Sequence, residues 1–456
     1  MDWSRFPDLV AVALLACAFA SVARRGNSRI SGLWLTGWVM IAVHFVAFLF
    51  PSSSNWRGAL AGDIGLAALA GAGILFMYAA VPNRGDIPSR WMLFSLLGTN
   101  TLYLWIVNAS QSLQWALDPV AVLVGAAPLA VALVTVRSSN HTLRWILVSL
   151  YSALSIFLLF VQHRPGNGGD LAVNAVFFTI YFGCCLHFWY AYGRATAGAF
   201  ITIAGFFAWA CVFVIAPSMG ILLPSVQIED EVWNLPKYVV AVGMILLLLE
   251  DQIEHNRYLA LHDVLTGLPN RRLFLDRLTV ALERARRTGS KVALLVVDLD
   301  QFKLVNDTLG HHAGDILLQK VGAIFTSRVR HSDTVARTGG DEFSVILEDA
   351  ASKEIARGVV KSLLQLINEP IQVLEQMVHV GASIGAAVFP DDASSIETLC
   401  IAADLHMYDD KHLAKGHTAC MPPESGSSPP IFGEPAKADF RVAPDRLRKF
   451  CGDEPM

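Results

Sequence analysis

Long apolar stretches fill the first half of the chain. A helix needs about 20 apolar residues to cross the hydrocarbon core of a bilayer, because its backbone polar groups must be paired within the segment. Nine stretches approach or reach that length, and the last of them is the shortest. They cover residues 8–23, 33–50, 60–81, 91–109, 119–136, 145–161, 171–191, 199–216 and 237–250. The pattern predicts an integral membrane region over residues 1–250, with about nine transmembrane helices.

After residue 262, short apolar runs alternate with amphipathic segments. Gly339-Gly340 separates two of the apolar runs and is typical of a hairpin turn, since glycine adopts positive φ without a steric cost. This alternation predicts a domain over residues 263–420, with helices layered on a mainly antiparallel sheet in an α+β fold. The predicted strands are 291–299, 334–338, 343–347 and 378–388, and the predicted helices are 314–329, 353–367 and 395–412.

A helical linker is predicted between the two halves, over residues 251–262. No Gly or Pro interrupts the sequence between Met244 and Gln252, so we expect the last membrane helix to continue into the linker. Between Leu246 and Ala260, a series of mainly apolar positions is spaced alternately three and four residues apart, and Asn256 is one of them. That spacing fits a short coiled-coil seam, and it also fits ordinary helix amphipathicity.

Charge is distributed as unevenly as hydrophobicity. Residues 1–250 contain 22 Lys, Arg, Asp and Glu, about 9%, whereas residues 251–456 contain 52, about 25%, which is the usual share in soluble domains. All eleven Trp lie at or before Trp233. The two halves are therefore adapted to different solvents, and a single soluble globule is excluded. The tail over residues 421–456 is rich in Pro, Ser and Gly and is predicted to be disordered.

Basic residues in the loops predict how the membrane region is oriented. The loops on one side carry eight Arg in total, whereas those on the other carry three Arg and one Lys. Because cytoplasmic loops are enriched in Arg and Lys, the N-terminus is expected outside and the C-terminal half in the cytoplasm. The first stretch lacks a basic leading segment and a clear cleavage site, which favours an uncleaved helix. We therefore predict a multi-pass protein of the inner (cytoplasmic) membrane.

Ionisable residues within the apolar stretches are candidates for function, because they are costly there. Asp63, His44 and His187 are of this kind. The two His have no paired spacing that would indicate haem or metal ligands. A hydrogen bond to a neighbouring helix is the favoured interpretation, with a ligand role as the alternative.

Acidic residues stand where two predicted strands end. Asp298 closes a central strand, and Asp341 and Glu342 lie at the tip of the hairpin. Three converging carboxylates without a basic partner would repel one another unless a cation neutralised them, and oxygen ligands favour Mg²⁺. The pattern indicates metal-assisted phosphoryl transfer on a nucleotide, and by spacing alone it equally fits a solvated acidic turn.

Several motifs in order resemble the GGDEF family, the diguanylate cyclases. The segment Arg337-Thr338-Gly339-Gly340-Asp341-Glu342-Phe343 is similar to the family signature. The other matching segments are Asp263–Arg272, Asp298–Lys303, Asn306-Asp307, Gly310–Asp315 and Ser383-Ile384-Gly385. The resemblance covers about residues 262–418, roughly a third of the chain.

The resemblance implies a fold and a reaction. The fold is ferredoxin-like, of the palm type shared with nucleotide polymerases and adenylyl cyclases. Two domains in a homodimer each bind one GTP, and each 3′-hydroxyl attacks the α-phosphate of the other GTP, giving cyclic di-GMP and two pyrophosphates. The implied partners are GTP, cyclic di-GMP, the lipid bilayer and a second copy of the chain, and no nucleic acid is expected.

The resemblance also implies roles for individual residues. Asp341 and Glu342 are catalytic, and Asp298, Asp341 and Glu342 hold Mg²⁺, or Mn²⁺ as the alternative, with the Leu299 carbonyl assisting. A carboxylate at Asp315 suits the two-donor edge of guanine, which favours GTP over ATP. The implied substrate-binding residues are Phe302, Lys303, Asn306, Asp315, Gly339, Gly340, Lys411 and Lys415.

Two further features concern charge and regulation. The terminal motif departs from the family, because Asp410 precedes Lys411 and Lys415 replaces an arginine, so weaker triphosphate contacts are expected. Arg330 and Asp333 have the spacing of the family's inhibitory product site, and Lys361 lies where a supporting arginine is common.

Two alternatives to a membrane-bound sensor cyclase stand beside this prediction. One is a catalytically silent GGDEF domain that binds GTP or cyclic di-GMP and signals through contacts. The other is a transporter with an appended regulatory cyclase, although the apolar stretches have no clear internal repeat. Silent members usually lose the hairpin acids or the strand-end Asp, and both are present here.

Overall fold

The structure is a computed structural model of the 456-residue chain. The residues that it describes are 6–25, 29–49, 56–80, 87–108, 111–134, 141–164, 168–193, 196–222, 230–349 and 353–417. The tail predicted over 421–456 lies outside them. The chain divides into two compact units, one ending at Glu254 and the other beginning at His255, four residues after the boundary predicted from composition.

Helices make up the described part of the first unit. Their bounds are α1 Phe6–Arg25, α2 Arg29–Phe48, α3 Trp56–Ala79, α4 Ile87–Asn108, α5 Leu117–Val134, α6 His141–Val161, α7 Gly168–Tyr192, α8 Ala197–Leu222 and α9 Asp230–Leu261, with a 3-10 helix at Gln111–Ala116. Each of the α-helices α1 to α9 overlaps one of the nine predicted stretches. In the described part of the chain, seven of them are long and apolar enough to cross a membrane. Helix α1 has a shorter apolar segment, Phe6–Val22.

Helix α9 includes the whole segment expected to be continuous. It runs without a break from Asp230 to Leu261, through residues 244–252 and most of the predicted linker. The boundary between the two units falls inside this helix, after Glu254.

His44 and His187, the two histidines within the predicted apolar stretches, are engaged by backbone oxygens. The Nδ1 atom of His44 lies 2.9 Å from the carbonyl oxygen of Gly65 on α3. The Nδ1 atom of His187 lies 2.8 Å from the carbonyl oxygen of Gly183, four residues earlier on its own helix. His44 thus makes the interhelical bond that was favoured over a ligand role, whereas His187 bonds within α7.

A buried polar network connects α1 with α9. The Asp8 carboxylate accepts hydrogen bonds from Asn234 Nδ2 and from the Tyr238 hydroxyl, each at 2.6 Å. Lys237 in turn donates to the Asn234 side-chain oxygen, and its ammonium lies 4.7 Å from the centre of the Phe45 ring. Asp8, Asn234 and Lys237 are all buried. Polar atoms within an apolar bundle require such partners, so the network holds α1 against α9.

The second unit is built on a four-stranded antiparallel sheet. Its strands are β1 Val292–Asp300, β2 Thr334–Arg337, β3 Glu342–Leu347 and β6 Gly381–Phe389, in the order β2-β3-β1-β6, and β4 Ile371–Val373 pairs with β5 Gln376–Val378 in a separate hairpin. The helices are α10 Arg271–Thr288, α11 Phe302–Leu309, α12 His311–Arg328, α13 Lys353–Ile367 and α14 Ile396–His417. Two hydrophobic clusters pack on the sheet. The predicted α+β fold with helices on an antiparallel sheet is confirmed.

Helix α10 is the largest element that the sequence pattern left unassigned. Its ends carry recognisable signals: the Asn270 side chain accepts from the amides of Arg272 and Leu273, and Gly289 ends the helix at a φ of 70°. Phe274 and Leu278 on its inner face are fully buried. An Asn cap followed by apolar residues four apart would have predicted this helix.

Helix α14 covers the free edge of β6. The Nδ1 of His406 donates to the Ala386 carbonyl at 2.8 Å, and the Asp410 carboxylate lies 3.4 Å from the amide of Ile384. The helix approaches the strand closely at Gly385, where a Cβ would lie 2.1 Å from the carbonyl oxygen of Ala403. An uncovered strand edge presents unpaired backbone groups, and here side chains four residues apart on one helix pair with them.

We expect the Asp8→Ala variant of the full chain in detergent micelles to unfold at a lower temperature. Removing the carboxylate takes away the acceptor of the buried Asn234 amide and of the half-buried Tyr238 hydroxyl, which costs about 1–2 kcal/mol. Asp8→Asn keeps one acceptor and should lose less. Asp170→Ala, at an exposed position of α7, serves as the control. Circular dichroism during heating measures the unfolding midpoint of each variant. Equal midpoints for Asp8→Ala and Asp170→Ala would contradict a stabilising role of the network.

Candidate functional site

Antiparallel pairing brings the predicted acids to one end of the sheet. Asp298 on β1 is the register partner of Glu342 on β3. The amide of Leu299 donates to the carbonyl of Asp341 at 3.3 Å, so the hairpin tip is attached to the end of β1. Burial and the neighbouring Asp298 raise the pKa of Asp341. The carboxylates are therefore close enough to repel one another, as their sequence positions predicted.

Lys411 supplies the positive charge that the sequence pattern did not place there. Its Nζ atom lies 2.5 Å from Asp298 Oδ1, although the two residues are 113 positions apart. Burial alone would lower the pKa of Lys411, but Asp298 and then Asp300 and Asp341 raise it, so the ammonium remains charged. The expectation that these acids have no basic partner is therefore wrong, because α14 brings Lys411 from a distant part of the chain.

The acidic end of the sheet fits a divalent cation in its donor chemistry. Carboxylate and carbonyl oxygens are the ligands that Mg²⁺ and Mn²⁺ prefer. Within the described ranges, no group of three His, Cys, Asp or Glu side chains stands close enough together to hold a metal ion. Asp298 is instead paired with the Lys411 ammonium. The donor set fits a metal, and a cation from the chain itself neutralises part of it.

Arg337 connects the hairpin with the first motif of the domain. Its guanidinium donates to both carboxylate oxygens of Asp263, at 3.0 and 3.1 Å, and to the Gly340 carbonyl at 2.6 Å. Burial would raise the pKa of Asp263, but hydrogen bonds from Thr266 and the Arg337 guanidinium lower it. Both residues belong to motifs of the sequence that indicated no role for them. Their contacts show that the Arg337–Asp263 pair supports the glycine turn.

The predicted guanine-reading residues Asn306 and Asp315 lie on either side of the turn between α11 and α12. A Cβ at Gly314 would lie 1.9 Å from the Asn306 side-chain oxygen and 3.2 Å from the Phe302 ring. Gly310 makes the turn possible with a φ of 85°. Asp315, next to Gly314, is exposed. Asn306 and Phe302 thus lie against Gly314, and the exposed Asp315 follows it at the start of α12.

The other predicted substrate residues are placed around this end of the sheet. Lys303 is exposed on α11, and Gly340 is exposed at the hairpin tip. A Cβ at Gly339 would lie 2.7 Å from a Glu342 carboxylate oxygen, so a larger residue there would displace the Glu342 side chain. Lys415 falls where the structure describes the helix backbone alone. Asp410, expected to weaken triphosphate contacts, is directed to the edge of β6, where burial and then Asp300 raise its pKa.

A cavity beside the turn before β2 contains the predicted inhibitory pair. It has a volume of about 760 Å³ and is lined by Arg330 and Asp333. Asp333 accepts hydrogen bonds from the amides of Arg330 and Glu348, at 2.8 and 3.1 Å, and so fixes the turn before β2. Arg277 of α10, which sequence reasoning did not single out, also lines the cavity, whereas Lys361 does not.

Comparison with known proteins identifies the domain. Residues 260–417 match the family described as the diguanylate cyclase GGDEF domain. The chain is 31% identical over 374 residues to the bifunctional diguanylate cyclase/cyclic di-GMP phosphodiesterase MucR of Pseudomonas aeruginosa, which covers 77% of this chain and 53% of that protein. It is also 38% identical over 169 residues to the diguanylate cyclase TpbB of the same organism. That match covers 37% of this chain and 39% of TpbB.

Solved structures include the crystallised GGDEF domain of TpbB, at 38% identity and a TM-score of 0.32, covering 32% of this chain and 92% of that one. The chain spans about half the length of MucR and less of TpbB. Residues 260–417 are thus a GGDEF domain, of the kind found in diguanylate cyclases, and they follow a region with seven long apolar helices.

We expect the Asp263→Asn variant of a 250–456 fragment to be less stable at neutral pH by about 1 kcal/mol, since a partly exposed charge-assisted pair contributes at the low end of its range. The native-state pKa of Asp263 is lowered, so its stabilisation is present above the unfolded pKa and is lost as the pH falls through the folded value.

The difference between wild type and variant should therefore shrink below about pH 4. Urea unfolding at several pH values measures it, with Asp276→Asn as the control at an exposed position of α10. A difference that stays constant down to pH 3 would mean that the Asp263 carboxylate does not stabilise the fold through its charge.

Proposed function

We propose that the chain is a membrane-bound diguanylate cyclase that condenses two GTP into cyclic di-GMP. The observation that carries the proposal is the acidic end of the sheet, where Asp298 is the register partner of Glu342 and the hairpin tip at Asp341 is attached to the end of β1. In each half-reaction a bond forms between a 3′-oxygen and an α-phosphorus, and the bond from that phosphorus to the pyrophosphate oxygen breaks.

The acids would hold Mg²⁺, with Mn²⁺ as the alternative. Asp298, Asp341 and the Leu299 carbonyl are the proposed ligands, and Glu342 contributes to binding or takes the proton of the attacking hydroxyl. A bound divalent ion would supply positive charge for the triphosphate and the leaving pyrophosphate. Because the pKa of Asp341 is raised by burial and by Asp298, a cation at this position relieves an unfavourable repulsion.

Guanine would be read at the turn between α11 and α12. A carboxylate at Asp315 can accept from both donors of the guanine edge, and the Asn306 amide can bond the same base. Lys303 and Lys411 are proposed as point charges for the phosphates. The Gly339-Gly340 turn, supported by Arg337, would let a phosphate approach the backbone.

The helical unit would anchor the domain in the inner membrane. Seven long apolar helices support a membrane location, and the Arg-rich loops support a cytoplasmic cyclase domain. One domain holds one GTP by this arrangement, so the reaction requires a second copy, and we propose a homodimer. The MucR match spans more residues than the chain has from residue 260 onward, so it extends into the helical unit.

The cavity with Arg330 and Asp333 is proposed as a site for product inhibition. Arg330 and Arg277 line it together, and two guanidinium groups suit a ligand with two phosphates. Its volume of about 760 Å³ is within the range of small-molecule sites.

The cyclase activity can be tested with the 250–456 fragment dimerised through a fused leucine zipper, incubated with GTP and Mg²⁺. We expect cyclic di-GMP and pyrophosphate in a ratio of one to two, detected by mass spectrometry and a phosphate assay. Asp341→Asn should reduce the rate by about 100-fold or more, because it removes charge at the transferred phosphoryl group. GTP binding without any cyclic di-GMP would favour the silent-domain alternative.

Product inhibition has a separate test. Arg330→Ala should raise the cyclic di-GMP concentration that halves the initial rate by about tenfold or more, since it removes a charge-assisted contact to phosphate. Lys361→Ala is the matched comparison, because Lys361 does not line the cavity. An unchanged inhibition constant in Arg330→Ala would remove the assignment of this cavity.

A further inference from the structure

The position of Lys411 has a consequence for how the acidic site takes up metal. Its Nζ atom is paired with Asp298 Oδ1 at 2.5 Å, and both side chains are largely removed from solvent, with exposed fractions of 29% and 13%. A charge-assisted bond in such surroundings is stronger than one at the surface. Asp298 is also a proposed metal ligand, so one carboxylate serves two cations.

Other groups on α14 hold Lys411 in this position. The Asp410 carboxylate and His406 Nδ1 attach the helix to the edge of β6, and Gly385 allows the helix to lie against the strand. The ammonium is therefore presented to Asp298 by a fixed element, and its place does not depend on a loop.

A metal ion and an ammonium on the same carboxylate oxygen repel each other, which weakens both contacts. The described residues contain no ready-made group of three metal-ligating side chains, and the ammonium already neutralises the acid that such a group requires. A metal ion that binds Asp298 Oδ1 therefore competes with the Lys411 ammonium for that oxygen.

We propose that Lys411 is a built-in counter-ion of the metal-free acidic site, and that a divalent cation displaces it from Asp298. The inference rests on the proposed function and deepens it. Before metal binding, Lys411 stabilises the folded acidic site. After displacement, its ammonium is released within reach of the same end of the sheet, where a triphosphate would lie. Lys411 thus lowers the affinity for free metal and keeps a positive charge at the site in both states.

The test is the affinity of the full-length protein in micelles for Mn²⁺ alone, with no nucleotide, measured as free Mn²⁺ by electron paramagnetic resonance. Lys411→Met removes the charge and keeps an unbranched side chain that is one atom shorter. We expect it to lower the dissociation constant for Mn²⁺ by about tenfold, because the metal no longer competes with a charge-assisted bond. Lys411→Arg retains a cation and should stay within about twofold of wild type.

Two controls make the result specific. Lys353→Met removes a comparable partly buried partner, that of Asp392, at a different place in the domain, and should leave Mn²⁺ affinity unchanged. Asp298→Asn should abolish the tight binding in both the wild-type and the Lys411→Met background, which locates the ion at this site. Thermal unfolding of each variant checks that the fold is retained.

An Mn²⁺ affinity in Lys411→Met equal to or weaker than that of wild type would overturn the proposal. Failure of the proposed function is distinguishable from this outcome. A chain that binds Mn²⁺ more tightly after Lys411→Met but makes no cyclic di-GMP would keep the counter-ion and lose the cyclase. If the chain makes cyclic di-GMP but Lys411→Met leaves the Mn²⁺ affinity unchanged, the cyclase function stands and the counter-ion role of Lys411 is wrong.

Discussion

Repulsion among carboxylates is the constraint on which the functional end of the second unit depends. Antiparallel pairing of β1 with β3 places Asp298 opposite Glu342 and brings Asp341 beside them. A fold that collects negative charge in this way must also supply positive charge. Lys411 on the last helix pairs with Asp298, and Arg337 ties the hairpin to Asp263. The Lys411 ammonium meets part of the electrostatic demand that these carboxylates create.

The edge of the sheet determines whether Lys411 can meet that demand. Strand β6 is the outer strand, and α14 lies along it so closely that Gly385 leaves room for helix backbone alone. His406 and Asp410 pair with the exposed backbone groups of that strand. Asp410 is unusual for the motif. Its carboxylate accepts from the amide of Ile384 at the edge of the sheet, which explains how a negative charge beside Lys411 is accommodated.

The first unit meets a similar requirement in an apolar setting. Polar side chains are few there, and several that are buried bond to one another or to backbone oxygens, as Asp8 does with Asn234 and Tyr238. Such bonds are directional, so they fix which helices lie together where apolar packing alone is permissive. The network joins the first helix of the unit to α9, the helix in which the unit ends.

Sequence alone determined the apolar stretches, the antiparallel sheet with its hairpin, and the motifs that mark residues 260–417 as a GGDEF domain, because each depends on residues close together in the chain. It missed α10, although the Asn270 cap and the apolar spacing after it were readable. Only the tertiary structure decided that Lys411 reaches Asp298, that Arg337 binds Asp263 and that Arg277 joins Arg330 at one cavity. These pairs are separated by dozens of residues or more, and local periodicity carries no information on which distant side chains the packing of helices against a sheet will bring together.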